Sequence, residues 1–324
     1  MELFQNFLCN TEEERDRLSN TIELWDAVPK YIPKNAQQRL RQPNGMMQSL
    51  TKVFRYRGKD FELKMFPARI ETPKGEQDTF PSEREEIIED ALRKLSVEKG
   101  QGFLDQEGAG VSFTIRQLRK LLEESGHGLP QKRIIESLKI LSGTIIELTE
   151  LNSNHAFYRS PIITEIGAVS RTDWEKDPKS RWYVRFSPLV AESIHNTTFR
   201  QFDFTTMISH SSSLGRWLYK RMAHLYIQAS LTNPYQIRLT TIKRDSGLLN
   251  ASALRFDART MRKAFNEMID KRVLLNVEEN ILCGPRRSMK DILYSIIPHP
   301  IFIRQIKAAN KRMRLDRNTL TQHR

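Results

Sequence analysis

The chain has 324 residues, of which 39% are hydrophobic and 28% charged, a composition typical of a soluble globular protein with room for about two domains. Two cysteines are too few for a disulfide framework, and no apolar run approaches the roughly 20 residues of a membrane-spanning helix. The formal net charge of +13 favours a polyanionic partner. The alternative is a generally basic protein without such a partner.

Residues 1–60 have the weakest pattern and are interpreted as an N-terminal arm. Their first segment has no positively charged stretch before an apolar core, so no secretory signal is predicted and the expected compartment is a reducing cytoplasm. Prolines and a glycine then interrupt a polar, basic stretch. Within it, Arg39 and Arg41 suit either phosphate contact or plain solubility.

Residues 61–200 predict a first domain of mixed helices and strands. An alternating pattern on both sides of Gly58 predicts a hairpin over 53–66 that caps this domain. Ser82, followed by acidic residues, predicts a helix start. The elements predicted after it are a helix at 82–98, a strand at 111–115, helices at 115–124 and 130–141, a hairpin of strands at 144–149 and 157–166, and a strand at 182–186.

Residues 201–306 predict a second domain, and 307–324 a basic tail. The elements predicted in the second domain are a helix at 212–230, a strand at 236–240, a short helical segment, a helix at 257–272, and strands at 273–277 and 292–297. The helix at 257–272 is amphipathic, with an apolar side around Met261, Phe265 and Met268. Its opposite side carries the polar residues Arg259, Arg262, Lys263 and Asn266.

The order strand, helix, turn, basic helix, hairpin is that of a winged helix-turn-helix, whose second helix enters the DNA major groove. The same order begins at 111–115 in the first domain. Its helix at 130–141 repeats the apolar spacing of the helix at 257–272, with Ile134, Leu138 and Leu141 at the positions of Met261, Phe265 and Met268. The predicted fold is therefore α+β, with two tandem winged-helix domains behind a short N-terminal extension. Two such helices would reach major-groove faces about one helical turn apart.

Basic residues around these helices are the candidates for contact with DNA, because arginine and lysine suit guanine and phosphate, and asparagine suits adenine. For each one the alternative is a solvated charge. In the two helices the candidates are Lys132, Arg133, Lys139, Arg259, Arg262, Lys263 and Asn266. The expected phosphate clamps are Lys243 and Arg244. The expected wing residues are Arg171, Lys176, Lys179 and Arg181 in the first domain, and Arg286, Arg287 and Lys290 after the Gly284-Pro285 turn in the second. In the tail the basic residues are Lys307, Lys311, Arg312, Arg314 and Arg317.

The block Trp182-Tyr-Val-Arg-Phe-Ser-Pro188, a short helix at 189–195, and Phe202-Asp-Phe-Thr205 leading into Ser213–Arg221 resemble the junction between the two winged-helix domains of plasmid replication initiators, the Rep proteins that bind iteron repeats. The resemblance covers roughly residues 60–305 and rests on element order and spaced positions. It implies binding of double-stranded DNA repeats at an origin, melting of an adjacent AT-rich stretch, recruitment of host initiator and helicase, and a monomer–dimer switch in which the dimer represses its own gene.

No enzyme is predicted from the residues. Rolling-circle nucleases need two histidines flanking one apolar residue to hold a metal ion, and no two of the seven histidines are so spaced. Tyr219 and Tyr226 lie on a predicted helix without a metal site to serve, and are interpreted as core or interface aromatics. The phosphate-binding G-x-x-x-x-G-K-[ST] motif and zinc-ligand spacing are also missing. No catalytic residue, metal or cofactor is therefore expected.

Three functions remain open. The first is the replication initiator, and the second is a winged-helix transcriptional regulator without replication activity. The third is a nicking enzyme.

Overall fold

A computed structural model describes residues 17–73, 75–98, 100–152, 157–169, 177, 179–196, 198–285 and 288–322. It contains helices and antiparallel sheets, which confirms the α+β class predicted from the sequence. The chain forms two compact units: unit 1 comprises Met1–Ser19 and Pro29–Thr198, and unit 2 comprises Asn20–Val28 and Phe199–Arg324. Within the described residues, every helix is too short or too polar to cross a bilayer.

The elements of the N-terminal part and of unit 1 follow one another in chain order. They are β1 (Leu18–Thr21), α1 (Lys34–Leu40), β2 (Leu50–Tyr56), β3 (Lys59–Phe66), β4 (Ala68–Thr72), β5 (Gly75–Thr79), α2 (Glu83–Leu95), β6 (Gly102–Asp105), β7 (Gly108–Thr114), α3 (Ile115–Glu124), α4 (Gln131–Gly143), β8 (Ile145–Glu150), β9 (Phe157–Pro161), β10 (Ile163–Val169), β11 (Arg181–Phe186) and α5 (Pro188–His195).

Two four-stranded sheets and a separate hairpin build unit 1. One sheet has the order β2-β3-β8-β9 and the other the order β10-β11-β7-β6, while β4 and β5 form a two-stranded sheet among the described residues. The predicted hairpin at 53–66 is confirmed as β2–β3, and it forms half of the first sheet.

Local capping explains where two helices of unit 1 begin. Ser82 and Glu85 form a reciprocal capping box at the start of α2, and Thr114 and Gln117 do the same for α3. Each box satisfies backbone N–H groups that a helix start leaves without a partner. The helix start predicted at Ser82 is thereby confirmed.

The elements of unit 2 also follow one another in chain order. They are β12 (Arg200–Asp203), α6 (Phe204–Ile208), α7 (Ser213–Leu225), β13 (Tyr235–Arg238), α8 (Leu239–Ser246), α9 (Leu254–Asp270), β14 (Leu274–Cys283), β15 (Met289–Pro298) and α10 (Pro300–Gln322). The sheet order is β13-β15-β14, and β12 pairs with β1.

The predicted tail is the continuation of a packed helix. In α10, the side chain of Asn310 donates a 2.7 Å hydrogen bond to the carbonyl oxygen of Ile227 and accepts one of 2.5 Å from Arg200. Arg312 is buried, whereas Lys307, Lys311 and Arg314 are exposed. Arg317 has no described side chain. The segment therefore belongs to unit 2 at least as far as residue 314.

The two units share a sheet arrangement that differs from the predicted one. In unit 1, β11 lies between β10 and β7, and in unit 2, β15 lies between β14 and β13. The strand after α4 was expected to match the strand after α9, but this expectation is wrong because β8 pairs with β3 and β9.

The predicted strand at 157–166 is likewise two strands. Buried Ile162 separates β9 from β10, and the two strands belong to different sheets. Alternation identifies a strand, but it does not identify the partner strand, which is set by long-range packing.

Candidate nucleic-acid interface

Helix α9 has one buried and one exposed face, as its sequence predicts. Met261, Phe265 and Met268 are buried, and the ring of Phe265 meets that of Tyr294 on β15 edge to face, with centroids 4.9 Å apart. The four polar candidates Arg259, Arg262, Lys263 and Asn266 are all exposed. The sheet thus supports α9 from one side and leaves the cationic side open.

Helix α8 and the turn after it fix where α9 starts. Asp291 of β15 accepts hydrogen bonds from the backbone N–H (3.1 Å) and hydroxyl (2.5 Å) of Thr240, which satisfies the first turn of α8. Gly247 ends α8 with a φ of 64°, in the left-handed region that glycine adopts without strain. The turn is closed by Asp257, which accepts from the backbone N–H of Ala251 (3.1 Å).

The two residues expected to clamp phosphates have partners within the protein. The ammonium of Lys243 lies 2.7 Å from a carboxylate oxygen of Asp257 and donates to the carbonyl oxygen of Ala251 (2.6 Å). The guanidinium of Arg244 lies 2.7 Å from Asp245. Lys243 therefore holds the turn together, and a phosphate contact by either residue stays a prediction.

Arg262 differs from the other cationic residues of α9 because a carboxylate holds it. Its Nε and Nη2 donate to Glu279 of β14 at 2.9 Å and 2.7 Å, and this hydrogen bonding raises the pKa of Arg262 above its ordinary value. The pair fixes the direction of the guanidinium. Among the described residues, Arg259, Lys263 and Asn266 have neither an ion pair nor a side-chain hydrogen bond, so their donors face solvent.

The predicted wing of unit 2 connects β14 to β15. The N–H of Gly284 donates to the carbonyl oxygen of Ser288 (2.7 Å), and Lys290 is exposed. Arg286 and Arg287, the predicted wing-tip residues, lie outside the described residues. Of the predicted wing residues of unit 1, Lys179 and Arg181 are exposed, whereas Arg171 and Lys176 lie outside the described residues.

Helix α4 of unit 1 has the same division but a more enclosed polar face. Its predicted apolar stripe of Ile134, Leu138 and Leu141 is fully buried. The candidates Lys132, Arg133 and Lys139 are exposed.

A carboxylate on α4 binds two arginines of unit 1. Glu136 receives Arg133 at 2.8 Å and Arg84 of α2 at 3.0 Å. Burial alone would raise the pKa of Glu136, but the hydrogen bonds and charges of the two arginines outweigh it and lower the pKa. The guanidinium of Arg133 is therefore engaged within unit 1.

The hairpin β4–β5 runs beside α4 and was not predicted from the sequence. Gly143 permits the approach, since a Cβ at that position would lie 2.9 Å from the Cβ of Ala68. Between strand and helix lies a groove of about 690 Å³, lined by Arg69, Ile70, Glu71, Lys132, Ile135, Glu136 and Lys139. The lysines predicted to contact DNA thus share a groove with carboxylates. The alternation of residues 68–72 before the turn at Pro73 was the pattern that could have revealed the hairpin.

Two exposed residues at the start of α9 were also missed. Phe256 is 49% exposed, and the guanidinium of Arg255 lies over its ring, 4.9 Å from the centroid. Both precede the predicted helix at 257–272, and a phenylalanine has no charge to mark it as part of the polar face.

In the described part of the chain, no cluster of three or more His, Cys, Asp or Glu side chains is arranged to hold a metal ion.

Comparison with known proteins gives a fold relationship. No family model and no curated protein matches the sequence. A crystal structure of a selenomethionine derivative of domains 2 and 3 of RctB matches with a TM-score of 0.52 and 12% identity, and covers 85% of this chain and 96% of that one. At that identity it shows a shared fold alone.

Two further solved structures are less similar. A second crystal structure of RctB domains 2–3 gives a TM-score of 0.48 at 10% identity, with 81% and 96% of the two chains covered. The Pi initiator protein in complex with iteron DNA gives a TM-score of 0.45 at 14% identity, with 67% of this chain and 91% of that chain covered.

Proposed function

We propose that the protein is a sequence-specific double-stranded DNA-binding protein whose two units are tandem winged helices. The observation that carries this proposal is the exposed face of α9, where Arg259, Lys263 and Asn266 have no partner among the described residues. Charged and amide donors aligned on one open helix face match the donor and acceptor pattern of base edges in the major groove. In unit 1, α4 would take the corresponding place.

The winged-helix assignment draws on the arrangement of the elements. In each unit a long helix, α2 or α7, comes before a strand, β7 or β13, and two helices. The candidate wing hairpin is β14–β15 directly after α9 in unit 2, and β10–β11 in unit 1, where β8 and β9 intervene; in both, the last strand of the hairpin is central in its sheet. Such a hairpin places its turn beside the recognition helix, at the edge of the groove. Wing residues would then contact phosphates and set the register of the helices.

The class of DNA-binding protein that we propose is a plasmid replication initiator. The sequence resemblance to Rep proteins supports it, and so does the fold shared with domains 2 and 3 of RctB over most of the chain. The proposal comprises recognition of repeated sites at an origin, opening of the duplex and recruitment of host initiator and helicase in the cytoplasm, with the dimer as repressor. The protein would act without catalysis, so that binding energy opens the strands.

One experiment separates this function from the alternatives. Duplexes selected from a random library by the purified protein would define the site. Copies of the site would then be sought in the DNA beside the gene, and the gene and the site would be cloned together on one plasmid. An initiator supports replication of a plasmid that carries its gene and the site. A transcriptional regulator binds the same duplex without supporting replication. A nicking enzyme cuts supercoiled site DNA in Mg²⁺ or Mn²⁺ and leaves a covalent adduct. Failure to select any sequence would contradict all three.

A further inference from the structure

An aromatic side chain stands on the open face of α9 where only polar residues were expected. Phe256 is the third residue of the helix, and it is 49% exposed although the chain has a well-filled core beneath it. The guanidinium of Arg255 lies over its ring, 4.9 Å from the centroid, an arrangement that favours this ring position at the surface. About half of the Phe256 surface is thus open to solvent on the polar side of the helix.

Phe256 lies on the same side of α9 as the residues proposed to contact DNA. At about 100° per residue, Phe256 lies about 20° from Lys263 and about 60° from Arg259 around the helix axis. The exposed Thr260, one turn along the helix, continues the same line. The ring therefore lies on the face that would enter the groove, near its N-terminal end, and N-terminal residues of a recognition helix contact base edges.

We propose that Phe256 is a specificity-determining residue that packs against the 5-methyl group of a thymine in the major groove. A phenyl ring cannot donate to or accept from a base edge, and the thymine methyl is the apolar group that the major groove offers. Arg255 beside it is placed to bind a phosphate or guanine next to that thymine. This inference rests on the proposed function, because it requires α9 to be the recognition helix.

Replacing thymine by uracil tests the inference, because it removes the methyl group and keeps the hydrogen-bonding edge. The duplex selected by the wild-type protein is made with uracil at one thymine position at a time. Binding of each duplex is measured by fluorescence anisotropy for the wild type, Phe256→Ala and Phe256→Leu. Leu231→Ala is the matched control, since Leu231 is a similarly exposed apolar residue of unit 2 and belongs to the turn between α7 and β13.

We expect one thymine whose replacement weakens wild-type binding about fourfold, the effect of one buried methyl-sized group. The Phe256→Ala protein should bind the thymine duplex more weakly than the wild type by a similar factor. It should bind the uracil duplex as tightly as it binds the thymine duplex. The Phe256→Leu protein should keep part of the affinity difference between the thymine and uracil duplexes, and the Leu231→Ala protein should keep all of it. Circular dichroism should show unchanged folding in each variant, and the salt dependence of Phe256→Ala should match that of the wild type because no charge is removed.

Equal sensitivity of the wild type and Phe256→Ala to every uracil replacement would overturn the inference while leaving the proposed function intact. The inference would also be overturned if Phe256→Ala weakened binding to single-stranded DNA and left binding to the duplex unchanged, since the ring would then stack on an unpaired base. If the wild type selects no duplex, the proposed function itself fails.

Discussion

Helices α4 and α9 have equivalent buried faces but different surroundings. The apolar stripes match position by position, and both stripes are buried. Around the polar faces, α4 shares a groove with Glu71 of the β4–β5 hairpin. Beside α9, Glu279 of β14 holds Arg262, and Arg259, Lys263 and Asn266 have no side-chain partner among the described residues. The difference teaches that the helix pattern identifies a candidate recognition helix, while its neighbours decide how strongly it can bind an anion. We therefore expect α9 to contribute most of the specific affinity.

The largest expected effect concerns the buried apolar faces, in which α4 and α9 are alike. Phe265→Ala should lower the free energy of unfolding by about 3–5 kcal/mol and Leu138→Ala by about 2–5 kcal/mol, because each leaves a cavity under its helix. Urea unfolding followed by circular dichroism measures both. A loss below about 1 kcal/mol for one of them, less than a buried large-to-small change causes, would show that the two buried faces are not equivalent.

The next effect separates the exposed faces. Arg262→Ala combined with Lys263→Ala should abolish specific binding with the fold intact, a loss of at least about 2 kcal/mol, because a single good base contact contributes about 1–3 kcal/mol. The slope of log K against log salt should also become shallower by about 0.9 for each phosphate that the variant no longer neutralises. Anisotropy titrations with selected and scrambled duplexes measure both quantities. Unchanged specific affinity would contradict the assignment of α9.

The matched change in unit 1 should have a smaller effect. Lys132→Ala combined with Lys139→Ala removes two exposed ammonium groups from a groove that also contains carboxylates. We expect affinity to fall by about 1 kcal/mol, and by nearly the same amount for selected and scrambled duplexes, as for phosphate contacts. The same titrations measure it. A loss of specificity as large as that of the α9 variant would refute the proposed ranking of the two helices.

The smallest effect should be a gain. Glu71→Gln removes a negative charge from the groove beside α4, so the affinity for DNA should rise by about 0.2–1 kcal/mol, the range of an exposed charge interaction. Titration at low and high salt checks this, because the gain should shrink as salt screens it. The neutral control is Gln77→Ala in the same hairpin. A fall in affinity on Glu71→Gln would mean that the hairpin positions α4 and does not oppose its binding.

Much of the local structure was predictable from the sequence, because it depends on nearby residues. The apolar spacing in α4 and α9, the cap at Ser82 and the hairpin around Gly58 are all interactions within a few residues. The partner of β8 was not predictable, since the alternation of Ile145–Glu150 suits any sheet that buries one face. Long-range pairing decided it.

The candidate site was predictable to a similar extent. The outward direction of Arg259, Lys263 and Asn266 follows from helix periodicity. The Glu279 partner of Arg262 and the Asp257 partner of Lys243 come from other elements, and no spacing in the helix indicates them. Phe256 was missed because exposed aromatic residues and core aromatic residues look alike in a sequence.

Directed cleavage from α9 tests the central claim most directly. With Cys9 and Cys283 replaced by serine, Thr260→Cys on the exposed face of α9 would carry an iron–EDTA group, and Leu231→Cys, in the turn between α7 and β13, would serve as the control. We predict that the group on residue 260 cleaves the selected duplex at defined positions within the site, and that the group on residue 231 does not. Full binding of the duplex by the labelled Thr260→Cys protein, without cleavage inside the site, would contradict the placement of α9 in the major groove.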